Sequence, residues 1–134
     1  MMRFVLDASI AIVWAMRDEA HALADRAFLE LQAGSASVPG IWWYEIRNIL
    51  ALNERRGRIT PDDCAEFIHA LEQFKIEIVF PQDGTQVMEL SRKHRLSIYD
   101  AAYLSIAKRE QLSLATLDRA LAAAALSEGI PSLN

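Results

Sequence analysis

Four acidic residues stand at positions from which a folded chain could bring their side chains together. They are Asp7, Glu45, Asp100 and Asp118. Two carboxylates about 4 Å apart repel each other by roughly 4 kcal/mol at an effective dielectric constant of about 20, so such a cluster requires protons, cationic partners or a metal ion. The segments that carry the four acids contain no evident buried Lys or Arg partner. The pattern therefore predicts a site for a divalent metal.

Oxygen-bearing side chains beside the acids indicate which metal would suit the site. Ser9 and Thr116 each stand two residues from an acid, and Asn48 follows Glu45 by three residues, which places both on one face of a helix. Carboxylate, hydroxyl and amide oxygens are ligands of hard cations, so the pattern favours Mg²⁺ or Mn²⁺ over zinc. Taken singly, each acid is also explained as a helix cap or a solvated charge, so the prediction depends on the four together.

Aromatic and basic side chains near the acids could bind a polyanion or a protein. Arg47 is a candidate contact to a phosphate or to a partner's carboxylate, while Trp42 and Trp43 could stack on bases or line an interface. Three adjacent aromatic residues on one helix cannot all face one core, so at least one of residues 42–44 should be exposed. Basic clusters at residues 55–58 and 92–95 could bind RNA, although a solvated surface is the more usual explanation of such clusters.

Length and composition bound the kind of protein that carries these residues. The chain of 134 residues suits one domain, 1–134, and a hydrophobic share of 52% is enough to build a core. A formal net charge of −4 argues against a protein that coats nucleic acid through bulk positive charge. The lone Cys64 cannot form an internal disulfide, and no stretch is typical of a signal peptide or a membrane span. We therefore expect a cytoplasmic protein.

Short apolar runs alternate along the chain with segments of helical periodicity. Strands are predicted at residues 3–6, 37–39, 76–80, 112–115 and, as an edge strand, 130–133. Helices are predicted at residues 9–16, 19–33 (capped by Asp18), 41–55, from 61 onward (capped by Thr60), 85–93, 98–109 and 119–126. This alternation predicts an α/β domain with a mostly parallel central sheet flanked by helices. Ligands of such sheets bind beyond the carboxyl ends of the strands, where Asp7 and Asp118 are expected.

The acids lie within four motifs that follow one another along the chain. The motifs are FVLDASIAIVWAMRDE, PGIWWYEIRNILALNERRGRI, LSIYDAAYLSIAKRE and LATLDRAL. Their order and flanking residues resemble the PIN-domain ribonucleases, and most closely the VapC toxins of type II toxin–antitoxin systems. Two departures are Arg47, where a small residue is common, and Glu110-Gln111, where a glycine is usual. Neither departure involves an acid, so both bear on specificity or local turn geometry rather than on catalysis.

The resemblance implies a PIN-like fold and an Mg²⁺- or Mn²⁺-dependent endoribonuclease. It assigns catalysis and metal binding to Asp7, Glu45, Asp100 and Asp118. Supporting roles fall to Ser9, Asn48 and Thr116. It further implies a homodimer, or a higher assembly, with a small VapB-like antitoxin whose tail crosses the active-site groove. Because no apolar stretch is long enough to span a membrane, no membrane partner is expected.

Two other classes of protein remain open. A catalytically silent PIN-fold module that binds RNA or protein would be expected to lack one or more of the acids, and all four are present. A small phosphoacceptor signalling domain also gathers acids at strand ends, but it needs adjacent acids near the first strand and a late Lys. Here Ala8 and Ser9 follow Asp7, and Arg119 follows Asp118.

Overall fold

A parallel sheet of four short strands, with seven helices around it, is formed by residues 1–16, 19–80 and 83–133, which the computed structural model describes. In chain order the elements are β1 (Arg3–Leu6), α1 (Ala8–Ala15), α2 (Ala22–Ala33), β2 (Ser35–Val38), α3 (Ile41–Arg55), α4 (Pro61–Glu72), β3 (Ile76–Ile78), α5 (Gly84–His94), α6 (Ile98–Glu110), β4 (Ser113–Ala115) and α7 (Arg119–Ser127). The predicted α/β class is confirmed. Among the residues described, no helix combines the length and apolar composition that a membrane crossing requires.

The order of the strands makes β1 an inner strand of the sheet, between β2 and β4. The strands lie in the order β3-β2-β1-β4, so the chain moves outward from β1 through β2 to β3 and then crosses to the other side of β1. Phe4, Val5 and Leu6 alternate between the two faces and are all 0% exposed, so both faces are covered. Because the order reverses between β1 and β4, the carboxyl ends of these two strands form the crevice in which parallel sheets bind ligands.

Helix α6 is the most deeply buried helix among the residues described. Its residues 101–107 are all buried, and it packs against β1, β2 and β4 as well as α5 and α7. The apolar character of this segment on every side explains that position, because a helix without a polar face lies in the interior. Gln111, which stands where the resembling family has glycine, ends the helix in the left-handed region at φ 57°. A non-glycine residue is strained in that region of the backbone. The replacement of glycine by Gln111 therefore affects the turn after α6.

Most predicted boundaries agree with the structure to within two residues, and Thr60 caps α4 through a capping box as predicted. The start of α2 was wrong, since the helix begins at Ala22 with His21 as its cap; Asp18 lies outside the described residues. The predicted last strand at 130–133 was also wrong. It is reduced to one parallel bridge between Leu114 and Ser132, because Pro131 cannot donate a ladder hydrogen bond.

Candidate active site

Asp7 lies at the junction of β1 and α1 and is almost completely buried, with an exposed fraction of 6%. Its Oδ2 atom accepts hydrogen bonds from Ser9 Oγ at 2.6 Å and from Thr116 Oγ1 at 2.7 Å. Its backbone N–H donates to the carbonyl of Ala115 at 3.0 Å, which continues the pairing of β1 with β4. Hydroxyl groups from both sides of the crevice therefore hold this carboxylate in one orientation.

The same two hydroxyls fix the turn that carries Asp118. Thr116 Oγ1 accepts a hydrogen bond from the backbone N–H of Asp118 at 3.0 Å, and Ser9 Oγ accepts one from the N–H of Leu117 at 2.9 Å. Asp118 itself is exposed and caps α7 by accepting from the N–H of Leu121 at 2.9 Å through Oδ1. Asp118 is therefore a helix cap, one of the two interpretations that the sequence allowed. It also lies close enough to Asp7 for its charge to act on that carboxylate.

Glu45 reaches the crevice from α3, where it is half-buried. Its Oε1 atom accepts a hydrogen bond of 2.6 Å from the phenol of Tyr103, a residue of α6 that is 0% exposed. Sequence reasoning missed Tyr103. A signal was available, because a phenol in a helix that is apolar on all sides must find a buried partner.

Asp100 occupies the first turn of α6, as predicted, and is half-buried. Its backbone N–H donates to the side chain of Ser97, the residue that caps the helix, at 3.1 Å. This cap determines where the first turn begins and thus where the carboxylate of Asp100 stands.

The pKa values of three of the acids are raised, and the causes show that the acids are neighbours. Burial is the largest cause for Asp7, Glu45 and Asp100 alike. The charge of Asp118 further raises the pKa of Asp7, Asp7 and Asp100 further raise the pKa of Glu45, and Asp118 and Asp7 further raise that of Asp100. Within the described chain, no Lys or Arg forms an ion pair with any of the four. The fold therefore gathers negative charge without supplying its own cation.

The donor chemistry of this cluster fits a hard divalent cation, since every side-chain donor is an oxygen. The side chains do not form a ready-made ligand set, however. Among residues 1–16, 19–80 and 83–133, no three Asp, Glu, His or Cys side chains are arranged to hold one ion. Ligation by three or more of these acids would require side-chain rotation, and the metal remains a prediction.

The proposed contact residues on α3 do not face the acids. Arg47 stacks over the ring of Trp43 at 3.7 Å from its centroid, and positions 43 and 47 lie about 200° around the helix from Glu45. Trp43 is exposed, as expected for at least one of the adjacent aromatic residues, whereas Trp42 is buried in the core. Asn48 lies one turn from Glu45 and is exposed; the described residues show no hydrogen bond from it to the acids.

The two basic clusters differ in their relation to the crevice. Arg55 follows Glu45 by ten residues, about 15 Å along α3, and Arg58 donates to Glu19 at 3.1 Å and Asn53 at 3.0 Å. The second cluster lies at the end of α5 and in the turn before α6; Arg92, Lys93 and Arg95 are exposed, and Lys93 is paired with Glu128 at the end of α7. Arg92 and Arg95, within eight residues of Asp100 along the chain, are therefore the better candidates for RNA.

Comparisons with known proteins agree with this geometry. The sequence profile of the PIN domain matches residues 4–126. Ribonuclease VapC3 from Pyrobaculum aerophilum is 30% identical over 125 residues, which cover 90% of this chain and 93% of that protein. The crystal structure of PAE2754 from Pyrobaculum aerophilum superposes with a TM-score of 0.69 at 24% identity and covers 98% of this chain and 91% of that chain. At that identity the structural likeness concerns the fold alone.

Proposed function

Because this chain belongs to the PIN-domain family, we propose that it is an Mg²⁺- or Mn²⁺-dependent endoribonuclease that acts as the toxin of a toxin–antitoxin pair. One observation carries the proposal: acids from four separate segments converge at the carboxyl ends of β1 and β4, where the charges of neighbouring acids help to raise the pKa of Asp7, Glu45 and Asp100. The ribonuclease VapC3, similar over 90% of this chain, supports RNA as the substrate.

The acids divide the work of holding a metal ion. Asp7 and Glu45 would hold it directly, with Asp100 sharing it or lying beside it. When bound, Mg²⁺ or Mn²⁺ would polarise the phosphate, lower the pKa of a water molecule and offset the charge that develops on cleavage. The oxygen-only donor set and the absence of a Lys or Arg ion pair within the described residues support this assignment.

The remaining polar side chains orient the acids and the reacting water. Ser9 and Thr116 keep the carboxylate of Asp7 in one orientation. Asp118, which is exposed, would orient the attacking water or complete a second metal position, since only one of its oxygens is used in capping α7. Asn48, exposed one turn from Glu45, would contact the substrate.

A small VapB-like antitoxin and RNA are the proposed partners, and the protein would act in the cytoplasm as a homodimer or a higher assembly with its antitoxin. Arg47 and Trp43 support a role in protein contact, because their stacked side chains are turned away from Glu45 and line a surface groove together with residues of α4 and β3. With a net charge of −4, the chain offers little bulk attraction for RNA. RNA binding would depend on the metal and on local basic residues.

Cleavage of transfer and ribosomal RNA by the purified protein, with Mg²⁺, Mn²⁺ or EDTA, tests the chemistry. Asp7→Asn and Asp100→Asn should each lower metal-dependent cleavage to background while the fold is kept. The control is Asp83→Asn, which makes the same change at the exposed cap of α5 and should cleave like the wild type, because Asn caps helices as well as Asp. Full activity in both site variants would contradict the proposal.

Two further results would redirect the assignment. RNA binding without cleavage in any metal would favour the catalytically silent module, and labelling by acetyl phosphate would favour the phosphoacceptor domain. For the toxin role, expression of the wild type should arrest growth, whereas Asp7→Asn should not.

A further inference from the structure

The phenol hydroxyl of Tyr103 lies at the acid cluster, and the proposed function gives it no role. Tyr103 is completely buried in α6, and its phenol donates to Glu45 Oε1 at 2.6 Å. That separation is in the range of charge-assisted O–H···O⁻ bonds, which are stronger than bonds between neutral groups. In the described chain, this is the hydrogen bond that the carboxylate of Glu45 receives.

Core packing alone does not explain a phenol at this position. The residues around it on α6, from Ala101 to Ala107, are nearly all apolar and buried, and a phenylalanine would fill the same volume without the cost of burying a hydroxyl. The physical effect of the hydroxyl is therefore exerted on Glu45, the group that it contacts.

The position of Tyr103 joins the segments that carry the acids. Asp100 lies three residues earlier on the same helix, so the two side chains project from one side of α6. Glu45 belongs to α3, and the charge of Asp7, at the end of β1, also acts on the phenol. A glutamate side chain has three rotatable bonds, and neighbouring acids repel this one; fixing Oε1 therefore restrains the whole carboxylate and leaves Oε2 for another ligand.

We propose that Tyr103 is a positioning residue that holds the Glu45 carboxylate in the orientation required to bind the divalent metal. The inference rests on the proposed function, because it requires that the acid cluster binds the metal. Tyr103 itself touches neither metal nor substrate.

Binding of Mn²⁺ to the full chain, measured by isothermal titration calorimetry, tests the inference without reference to activity. Tyr103→Phe, which removes only the hydroxyl, should weaken Mn²⁺ binding by about 10- to 100-fold, the usual effect of losing a group that orients a ligand. The control is Tyr99→Phe on the same helix, where the phenol is exposed and the affinity should be unchanged.

A double-mutant comparison separates action through Glu45 from a general loosening of the core. In the Glu45→Gln background the carboxylate is gone, so adding Tyr103→Phe should change Mn²⁺ affinity by less than about two-fold. If Tyr103 had only a structural role, Tyr103→Phe would lower the melting temperature in both backgrounds. It would then leave the Mn²⁺ affinity of the protein that retains Glu45 unchanged.

Introducing 4-fluorophenylalanine at position 103 keeps the ring and a polar atom but cannot donate a hydrogen bond, so its Mn²⁺ affinity should fall to that of Tyr103→Phe. This variant also decides the matter if Tyr103→Phe does not fold, because an affinity equal to that of the wild type would then overturn the inference. If Glu45→Gln weakens binding and Tyr103→Phe does not, only the role of Tyr103 is wrong. If the wild type binds no Mn²⁺, the proposed function fails together with this inference.

Discussion

At the scale of single residues, the carboxylate of Asp7 is subject to two opposing effects. Burial raises its pKa, while the hydrogen bonds from Ser9 and Thr116 lower it, and burial is the larger effect. A buried acid whose pKa is raised in the folded state destabilises the protein as the pH rises through its unfolded pKa toward its folded one. The hydroxyls reduce that cost and orient the carboxylate for a cation.

Removing one of these hydroxyls should impair cleavage. Thr116→Val keeps the volume of the side chain but loses the bond to Asp7 Oδ2 and the acceptor for the N–H of Asp118. We expect kcat/KM for RNA to fall by about 10- to 100-fold, because both acids lose an orienting contact. The pKa of Asp7 should rise further. Thr116→Ser retains the hydroxyl, so equal losses in the two variants would show that packing rather than hydrogen bonding matters here.

At the scale of helices and strands, the acids are positioned by where their elements begin. Glu45 is near the start of α3, and Asp100 is in the first turn of α6. Both helices begin at the carboxyl edge of the sheet, with Asp100 in the first turn of α6 and Glu45 in the second turn of α3. Small changes at helix starts are therefore expected to affect catalysis more than equal changes elsewhere.

Two helix caps of the same kind provide a matched test. Ser97 caps α6, which carries Asp100, and Thr60 caps α4, with Asp63 at the equivalent third position. Ser97→Ala and Thr60→Ala should each lower the free energy of unfolding by about 1 kcal/mol. Only Ser97→Ala should also reduce RNA cleavage, since only that cap determines the position of an acid of the site. Chemical denaturation and cleavage assays measure the two effects, and a comparable loss of activity in Thr60→Ala would contradict this reasoning.

Glu128 connects three helices through ion pairs. Its carboxylate, 3% exposed, accepts from Lys93 at 2.7 Å, His94 at 2.6 Å and Lys108 at 2.7 Å, which joins the end of α7 to α5 and α6. The hydrogen bonds from Lys108, Lys93 and His94 lower the pKa of Glu128 to about 2. These bonds are part of the frame that holds α6 in place.

The depressed pKa of Glu128 predicts a pH-dependent contribution to stability. Because the folded value is below the ordinary 4.5, the contribution is complete above that pH and is lost as the pH falls toward about 2. Glu128→Gln should lower the free energy of unfolding by roughly 2 kcal/mol at pH 7. Urea denaturation should show the difference from wild type shrinking between pH 5 and pH 3. A difference that is the same at both would contradict the ion-pair explanation.

At the scale of the whole molecule, charge is unevenly distributed around a net value of −4. The acids occupy the carboxyl edge of the sheet, and the exposed Arg92, in the last turn of α5, and Arg95, which ends that helix, precede α6 in the chain. We expect these two cations to contact the backbone of an RNA bound at the acids.

Charge reversal at this turn should affect binding rather than chemistry. The double variant Arg92→Glu and Arg95→Glu should raise KM for RNA several-fold and leave kcat near the wild-type value, because neither side chain is among the acids. The control is Lys75→Glu, an exposed residue at the amino end of β3 and hence at the opposite edge of the sheet, which should change KM little. Kinetics at low and high salt would check this, since screening should reduce the effect. The same rise in KM per reversed charge in both variants would mean that only net charge matters.

Much of the fold was predictable because periodicity and turn chemistry are local. The apolar run before Asp7, the Thr60-Pro61 helix start and the apolar helix around Asp100 predicted strands and helices that the structure confirms. The errors lie where local signals compete. His21 rather than Asp18 precedes the second helix, and Pro131 restricts the last segment to a single bridge.

By itself, the sequence determined the α/β class, the PIN-domain family and the four acids as candidates, because these depend on residue types, their spacing and their order along the chain. Only the tertiary structure decided that Tyr103 holds Glu45, 58 residues away, and that Arg47 turns aside onto Trp43. Such contacts depend on how α3 and α6 pack across the sheet. Packing is a property of whole surfaces in three dimensions, and no local pattern in the chain encodes which polar groups it brings within hydrogen-bonding distance.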